Sequence, residues 1–293
     1  MSTISIDPTS LLQAEVYQYL SSAVAPRPIA FVSTQDAEGR VNLSPYSFFN
    51  VFSSNPPVMI FSPVRSGRDN STKHSLDNVL EVPEVVVNIV NYPLVEQMSL
   101  ASTAYAKGVN EFEKAGLTAV ASEKISPPRV GEAPVAFECV VDQVIALGQE
   151  PGAGNLVVAR VVMIHVQDQY LDTNGKLDAN QLDLVARMGG SWYTRASGEA
   201  LFEIPKPIRK QGIGVDQLPE HIRNSTVLTG NNLGRLGNVE RLPTAEEIAR
   251  LQTEDDVQTA LRKADSTAVH QLAQRWLEAG KTERALALLM TIE

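Results

Sequence analysis

Between Ser62 and Ser75 the chain collects the residue types that hold an anion. Ser62, Ser66, Ser71, Thr72 and Ser75 bring hydroxyls, Arg65, Arg68 and Lys73 bring positive charge, and Gly67 and Asn70 complete the loop. Hydroxyls donate to phosphate oxygens, cations balance their charge, and glycine lets a backbone come close. The pattern is that of a seat for an organic phosphate. The same residues would also serve a solvated charged turn, so the loop alone leaves both readings open.

Other residues invite the same question. Arg27 stands between Pro26 and Pro28, whose rings fix the backbone on either side. It reads as a second ligand contact or as a surface arginine where a strand begins. His165, in R-V-V-M-I-H-V, alternates with apolar residues. It either faces a bound ring or is a half-buried strand histidine bonded to a neighbour. In R-M-G-G-S-W-Y, Arg187, Gly189, Gly190 and Tyr193 could border a ligand; the alternative is a turn with an aromatic anchor. The histidines at 74, 165, 221 and 270 form no i, i+4 pair, and the single cysteine, Cys139, lies in an apolar run. A protein metal site, a disulfide within the chain and a reactive thiol are therefore not expected.

Composition bounds the rest. The chain has 293 residues, 43% hydrophobic and 20% charged, a globular balance. Acidic residues outnumber basic ones, 34 to 25, for a formal charge of -9. A diffuse acidic surface argues against nucleic acid and anionic membranes as partners, and it makes the cations at 65, 68 and 73 stand out. The N-terminus lacks a basic region followed by an apolar stretch, and no run reaches the length of a membrane span, which predicts a cytoplasmic protein.

The elements that must carry these residues can be read from periodicity. Residues 7–23 have a helical repeat ended by Pro26, and 29–34 reads as a strand. D-A-E-G-R at 36–40 turns into a partner strand over 41–52, in which Pro45 marks an edge or a bulge. Strands follow at 58–61, 84–91, 137–147 and 156–167, with short helices at 75–80, 94–102 and 110–115. Antiparallel strands joined by short glycine turns predict a closed barrel. No glycine-rich dinucleotide fingerprint follows a strand. Residues 208–243, rich in Gly, Asn and Pro, read as an extended arm or linker, and 244–293 as a helical segment opened by a Thr244/Glu247 capping box.

Several stretches together resemble the flavin reductase-like family. They are P-R-P-I-A-F-V-S-T (26–34), N-L-S-P-Y-S-F-F-N (42–50), N-P-P (55–57), K-H-S-L-D-N (73–78), E-F-E-K-A-G-L-T (111–118), E-A-P-V-A-F-E-C (132–139) and R-M-G-G-S-W-Y (187–193). The resemblance runs from about Ala23 to Pro207 and implies that residues 1–207 form a mainly β domain with helices, an FMN-binding split β-barrel that forms a homodimer. Asn42, Ser44, Pro45 and Ser47 match the strand that lines the flavin ring, and Ser62, Arg68, Lys73 and Ser75 match the phosphate loop. Arg27, His165 and Tyr193 become candidate flavin contacts. One departure is His74, where the family often has aspartate between Lys and Thr. The implied activity is NAD(P)H:flavin oxidoreduction, with NADH or NADPH delivering hydride to flavin N5 and a monooxygenase or other acceptor downstream. The alternative is an FMN-bound electron carrier that docks a partner and has little NAD(P)H activity.

Overall fold

A computed structural model describes residues 2–204, 211–263 and 266–292. They fall into two compact units, Met1–Phe202 and Glu203–Glu293.

The first unit is built on a seven-stranded antiparallel sheet. Its strands are β1 (Ala30–Gln35), β2 (Val41–Tyr46), β3 (Phe49–Ser54), β4 (Pro57–Phe61), β5 (Glu84–Ile89), β8 (Val135–Ala146) and β9 (Asn155–Val166), in the order β2-β1-β5-β8-β9-β4-β3. Two small hairpins pair β6 (Ala119–Val120) with β7 (Arg129–Val130) and β10 (Leu184–Arg187) with β11 (Tyr193–Ala196). The edge strands of the large sheet, β2 and β3, are consecutive in the chain with only Ser47 and Phe48 between them. A link that short spans roughly 11 Å at most, so the sheet must curl until the end of β2 and the start of β3 come together. The result is the split barrel that the sequence implies. The single strand expected over 41–52 is thus two strands broken at a corner. Pro45, which cannot donate to a ladder, sits on the edge strand β2.

Alternation along the strands separates two cores. Ala30, Val32, Tyr46, Phe61, Val85 and Cys139 fill the barrel, together with Leu76 and Val79 of α2 (His74–Glu81). Burial pushes the Cys139 thiol up to about 12, which leaves it an inert packing group. Phe31 and Leu43 point to the other face and pack with Leu94, Met98 and Phe112 from the segment holding α3 (Val95–Ala101) and α4 (Glu111–Ala115). Asn110 caps α4 through its side chain, and Gly116, at φ +64°, ends it. The remaining helices of this unit are α1 (Gln13–Ala23) and α5 (Ala179–Leu182).

The second unit is helical throughout its described part: α6 (Glu220–Arg223), α7 (Gly230–Gly237), α8 (Ala245–Leu251), α9 (Asp255–Leu261), α10 (Ser266–Glu278) and α11 (Thr282–Leu289). The Thr244/Glu247 capping box opens α8 as the sequence predicts. The expected arm over 208–243 is different: residues 205–210 lie outside the described residues, and the rest holds α6 and α7. Leu218, Ile222, Leu228 and Leu236 from this stretch are buried in one core with Trp276, Leu277, Leu286 and Leu289. Its glycines and asparagines punctuate two short helices, and its apolar residues are spaced to reach that core. No described helix is long and apolar enough to cross a membrane.

Candidate functional site

The loop after β4 is braced from within. Arg65 donates through Nε to Asn70 Oδ1 and through Nη2 to Asn70 O, both at 2.8 Å. Asn70 takes the left-handed conformation, φ +58°, which asparagine tolerates better than most residues. Its amide reaches Gln149 O in the β8–β9 hairpin at 3.0 Å, and the Arg65 N–H donates to Ala153 O at 2.9 Å. Many of the loop's hydroxyls are also spent locally. Hydrogen bonds from Ser66 and Ser71 hold the Asp69 carboxyl down to about 2, and Thr72 donates to Asp77 at 2.8 Å. The sequence suggests a row of free hydroxyls; the structure uses three of them to shape the loop.

What stays unspent defines the seat. Arg68 and Lys73 are exposed, and neither side chain has a hydrogen-bond or ion-pair partner among the described residues. Lys73 sits immediately before α2, whose first turn presents free N–H groups. Ser62 is only 7% exposed, yet its hydroxyl meets no protein partner among the described residues. A Cβ on Gly154, in the facing hairpin, would lie 2.7 Å from Ser62 Oγ, so only glycine leaves that hydroxyl its place. The Ser62 N–H donates to Phe48 O at 2.8 Å and ties this loop to the β2–β3 corner. Two cations, an unpartnered hydroxyl on a largely buried serine and a glycine notch suit an organic phosphate.

The strand expected to line a ring is arranged differently. Asn42, Ser44 and Tyr46 share one face of β2, with Asn42 and Tyr46 buried. Asn42 Nδ2 donates to Glu111 at 2.9 Å, and Asn42 Oδ1 accepts from Ser75 at 2.6 Å. Tyr46 in turn donates to Ser75 Oγ at 2.9 Å, and burial pushes its phenol up to about 12. Asn42 and Ser75 therefore meet each other inside the protein, their polar groups engaged with Glu111 and Tyr46. Burial also raises the Glu111 carboxyl, against the pull of the Leu43 N–H and the Asn42 amide. Ser44, Pro45 and Ser47 are half-buried along the end of β2 and its corner.

Arg27 ties three backbone carbonyls together. Its Nη1 donates to Ser21 O and to Val24 O at 2.9 Å, and its Nη2 to Met188 O at 3.1 Å; its Nε lies 3.5 Å from Ser47 Oγ. Its backbone pairs with Arg187 in both directions at 2.9 Å. The flanking prolines do present the side chain rigidly, but to three carbonyls. His165 is also accounted for: its Nε2 donates to the buried Glu138 carboxylate at 2.6 Å, which also accepts N–H groups from Glu123 and Lys124. These donors hold the Glu138 carboxyl below its usual range despite burial. Tyr193 is capped by Arg187 at 4.7 Å and walls a cleft of about 240 Å³ with Tyr92, Val95, Val185 and Arg195. No metal site forms among the described residues.

Glu111, Tyr46 and Gly154 carry roles that residue patterns alone did not reveal. The first two lie inside stretches that carry the resemblance, and Gly154 lies outside them, in a glycine-containing turn between two strands.

Known proteins share the sequence and fold of the barrel unit. Residues 22–181 match the flavin reductase like domain. An uncharacterized protein of Halalkalibacterium halodurans is 37% identical over 210 residues, 71% of this chain and 99% of its own. The crystal structure of nitrilotriacetate monooxygenase component B from Bacillus cereus is 33% identical, with a TM-score of 0.65 over 70% of this chain and 100% of that one. The Pseudomonas fluorescens 2-nitrobenzoate 2-nitroreductase is 26% identical, with a TM-score of 0.62 over 71% and 100%. The second unit lies outside the matched domain. With its barrel closed at the Ser47–Phe48 corner and that corner bonded to a cationic loop, the chain belongs to the flavin reductase-like family.

Proposed function

We propose that the chain holds FMN non-covalently and works as an NAD(P)H-dependent flavin oxidoreductase. The observation that carries this reading is the pair of cations without partners among the described residues, Arg68 and Lys73, on the loop that also holds the unpartnered Ser62 hydroxyl. Arg68 and Lys73 would balance the phosphate, Ser62 would orient it, and the end of β2 with Ser47 would border the ring. The flavin, when bound, supplies the electron-transfer chemistry. The chain's part is to bind, orient and shield, and no side chain needs to act as a nucleophile. NADH or NADPH is the donor in this reading. The Bacillus cereus relative, a monooxygenase component, supports an oxygenase as the acceptor. Phe52 on the edge strand β3 is 64% exposed beside the exposed Val51, which supports a second copy of the chain as a partner.

The test is the absorbance spectrum of the purified protein, with released flavin identified, followed by anaerobic NADH or NADPH. A yellow protein that bleaches with either nucleotide supports the reductase. A yellow protein that bleaches only with dithionite makes it an electron carrier. A colourless protein that takes up no added FMN refutes both.

A further inference from the structure

Glu111 is not part of the seat described above, yet it holds β2 and, through Asn42, the first turn of α2, both of which border it. Its carboxylate is buried, the residue being 3% exposed. One oxygen accepts the Asn42 amide at 2.9 Å; the other accepts the Leu43 N–H, on the open edge of β2, at 3.0 Å. Asn42 Oδ1 accepts the Ser75 hydroxyl at 2.6 Å, and Ser75 Oγ accepts the Tyr46 hydroxyl at 2.9 Å. Ser75 belongs to the first turn of α2, two residues after Lys73. Tyr46 ends β2, immediately before Ser47. The bonds therefore run from the strand beside the corner to the helix that closes the cationic loop, and back to the strand.

The residue types fit this task closely. Two donors, an amide and a backbone N–H, converge on one buried point, and only an ionised carboxylate can accept both with separate oxygens and offer no competing hydrogen. A carboxamide there would turn an NH2 group against one donor and leave it unsatisfied. We propose that Glu111 is a positioning residue for the flavin. It locks β2 to the first turn of α2, so that the ring end and the phosphate end of the ligand are held at one fixed separation. This rests on the reading of the loop as a flavin phosphate seat.

The experiment compares wild type, Glu111→Gln and the double variant Asn42→Asp/Glu111→Gln as full-length chains. It measures the Kd of FMN and of riboflavin, the visible circular dichroism of the bound flavin, and unfolding in urea. Glu111→Gln is expected to weaken both flavins by about tenfold or more and to change the visible dichroism. The double variant exchanges amide and carboxylate. The new amide then donates to the new carboxylate, its oxygen still accepts from Leu43, and the carboxylate still accepts from Ser75. Most of the lost affinity and the native dichroism should return. Lower stability with unchanged Kd and dichroism would make Glu111 merely structural and overturn the proposal. A double variant no better than the single would also overturn it. A wild-type chain that takes up neither flavin would instead remove the flavin reading, before any variant is compared.

Discussion

Replacing Arg27 by methionine separates its structural role from a ligand role. Methionine keeps much of the length and the apolar stem but loses every donor. Three carbonyls then lose their partner: Ser21 and Val24 at the end of α1, and Met188 in the β10–β11 hairpin. Val24 is exposed, so water can replace the arginine there, whereas Ser21 is buried. Two charge-assisted bonds without full replacement, at about 1.5–3 kcal/mol each and not fully additive, put the loss at about 3 kcal/mol. The assay is urea unfolding followed by Trp192 fluorescence. Trp192 sits in the tied hairpin, and Trp276 lies in the core of the other unit. A Trp276→Phe background therefore lets Trp192 report on the barrel unit. Arg27→Lys should recover only part of the loss, because one ammonium cannot fork between the helix and the hairpin. A methionine variant within about 0.5 kcal/mol of wild type, but with FMN weakened far more than riboflavin, would refute the reasoning and make Arg27 a phosphate ligand.

Arg68→Ala should weaken FMN by about tenfold or more while leaving riboflavin nearly unchanged, because it removes one charge-assisted phosphate contact; equal losses in a fluorescence titration would count against the seat. Gly154→Ala places a Cβ 2.7 Å from Ser62 Oγ, so it should displace that hydroxyl, lower FMN affinity and cost about 1–3 kcal/mol in urea. The helical unit should lose stability in mild acid. Ser225 Oγ accepts N–H groups from Val227 and Leu228, so its own proton must go to His270 Nδ1 at 2.5 Å. Burial, and then His221, lower the His270 pKa from 6.5. The unfolded chain therefore binds this proton first, and stability falls as pH drops below that ordinary value. Thermal melts of His270→Gln that keep the full wild-type acid dependence would refute the assignment.

The strands were legible because each is a short run rich in β-branched, aromatic or other apolar residues, and the hairpin at 36–40 because Asp36 and Gly39 are turn residues. The break at Ser47–Phe48 was not, since the aromatic residues Tyr46, Phe48, Phe49 and Phe52 continue across it with no glycine to mark a turn. The corner exists because two sheet edges must meet, which is a property of the whole barrel. For the site, residue types identified the loop but not the division of labour within it. Arg65 and Arg68 look alike in sequence, and only the fold places Asn70 where it absorbs the first and leaves the second free. His165 and Arg27 carry ligand-like chemistry, and buried protein groups use it. Residues 208–243 were misread because frequent glycine and asparagine mask two short helices.

The internal bracing of the cationic loop has a consequence for the speed of binding. With Arg65, Asn70, Ser66 and Ser71 already bonded to their neighbours, little of the loop has to be ordered when a ligand arrives. Encounter is then governed by long-range charge, and here the chain works against itself: its net charge of -9 repels a phosphate dianion, while Arg68 and Lys73 attract it only within about a Debye length, ~8 Å in physiological salt. Moderate salt should therefore quicken the association of FMN by screening the distant repulsion, and hasten its release by screening the nearby attraction. Flavin exchange would then become faster in both directions as salt rises.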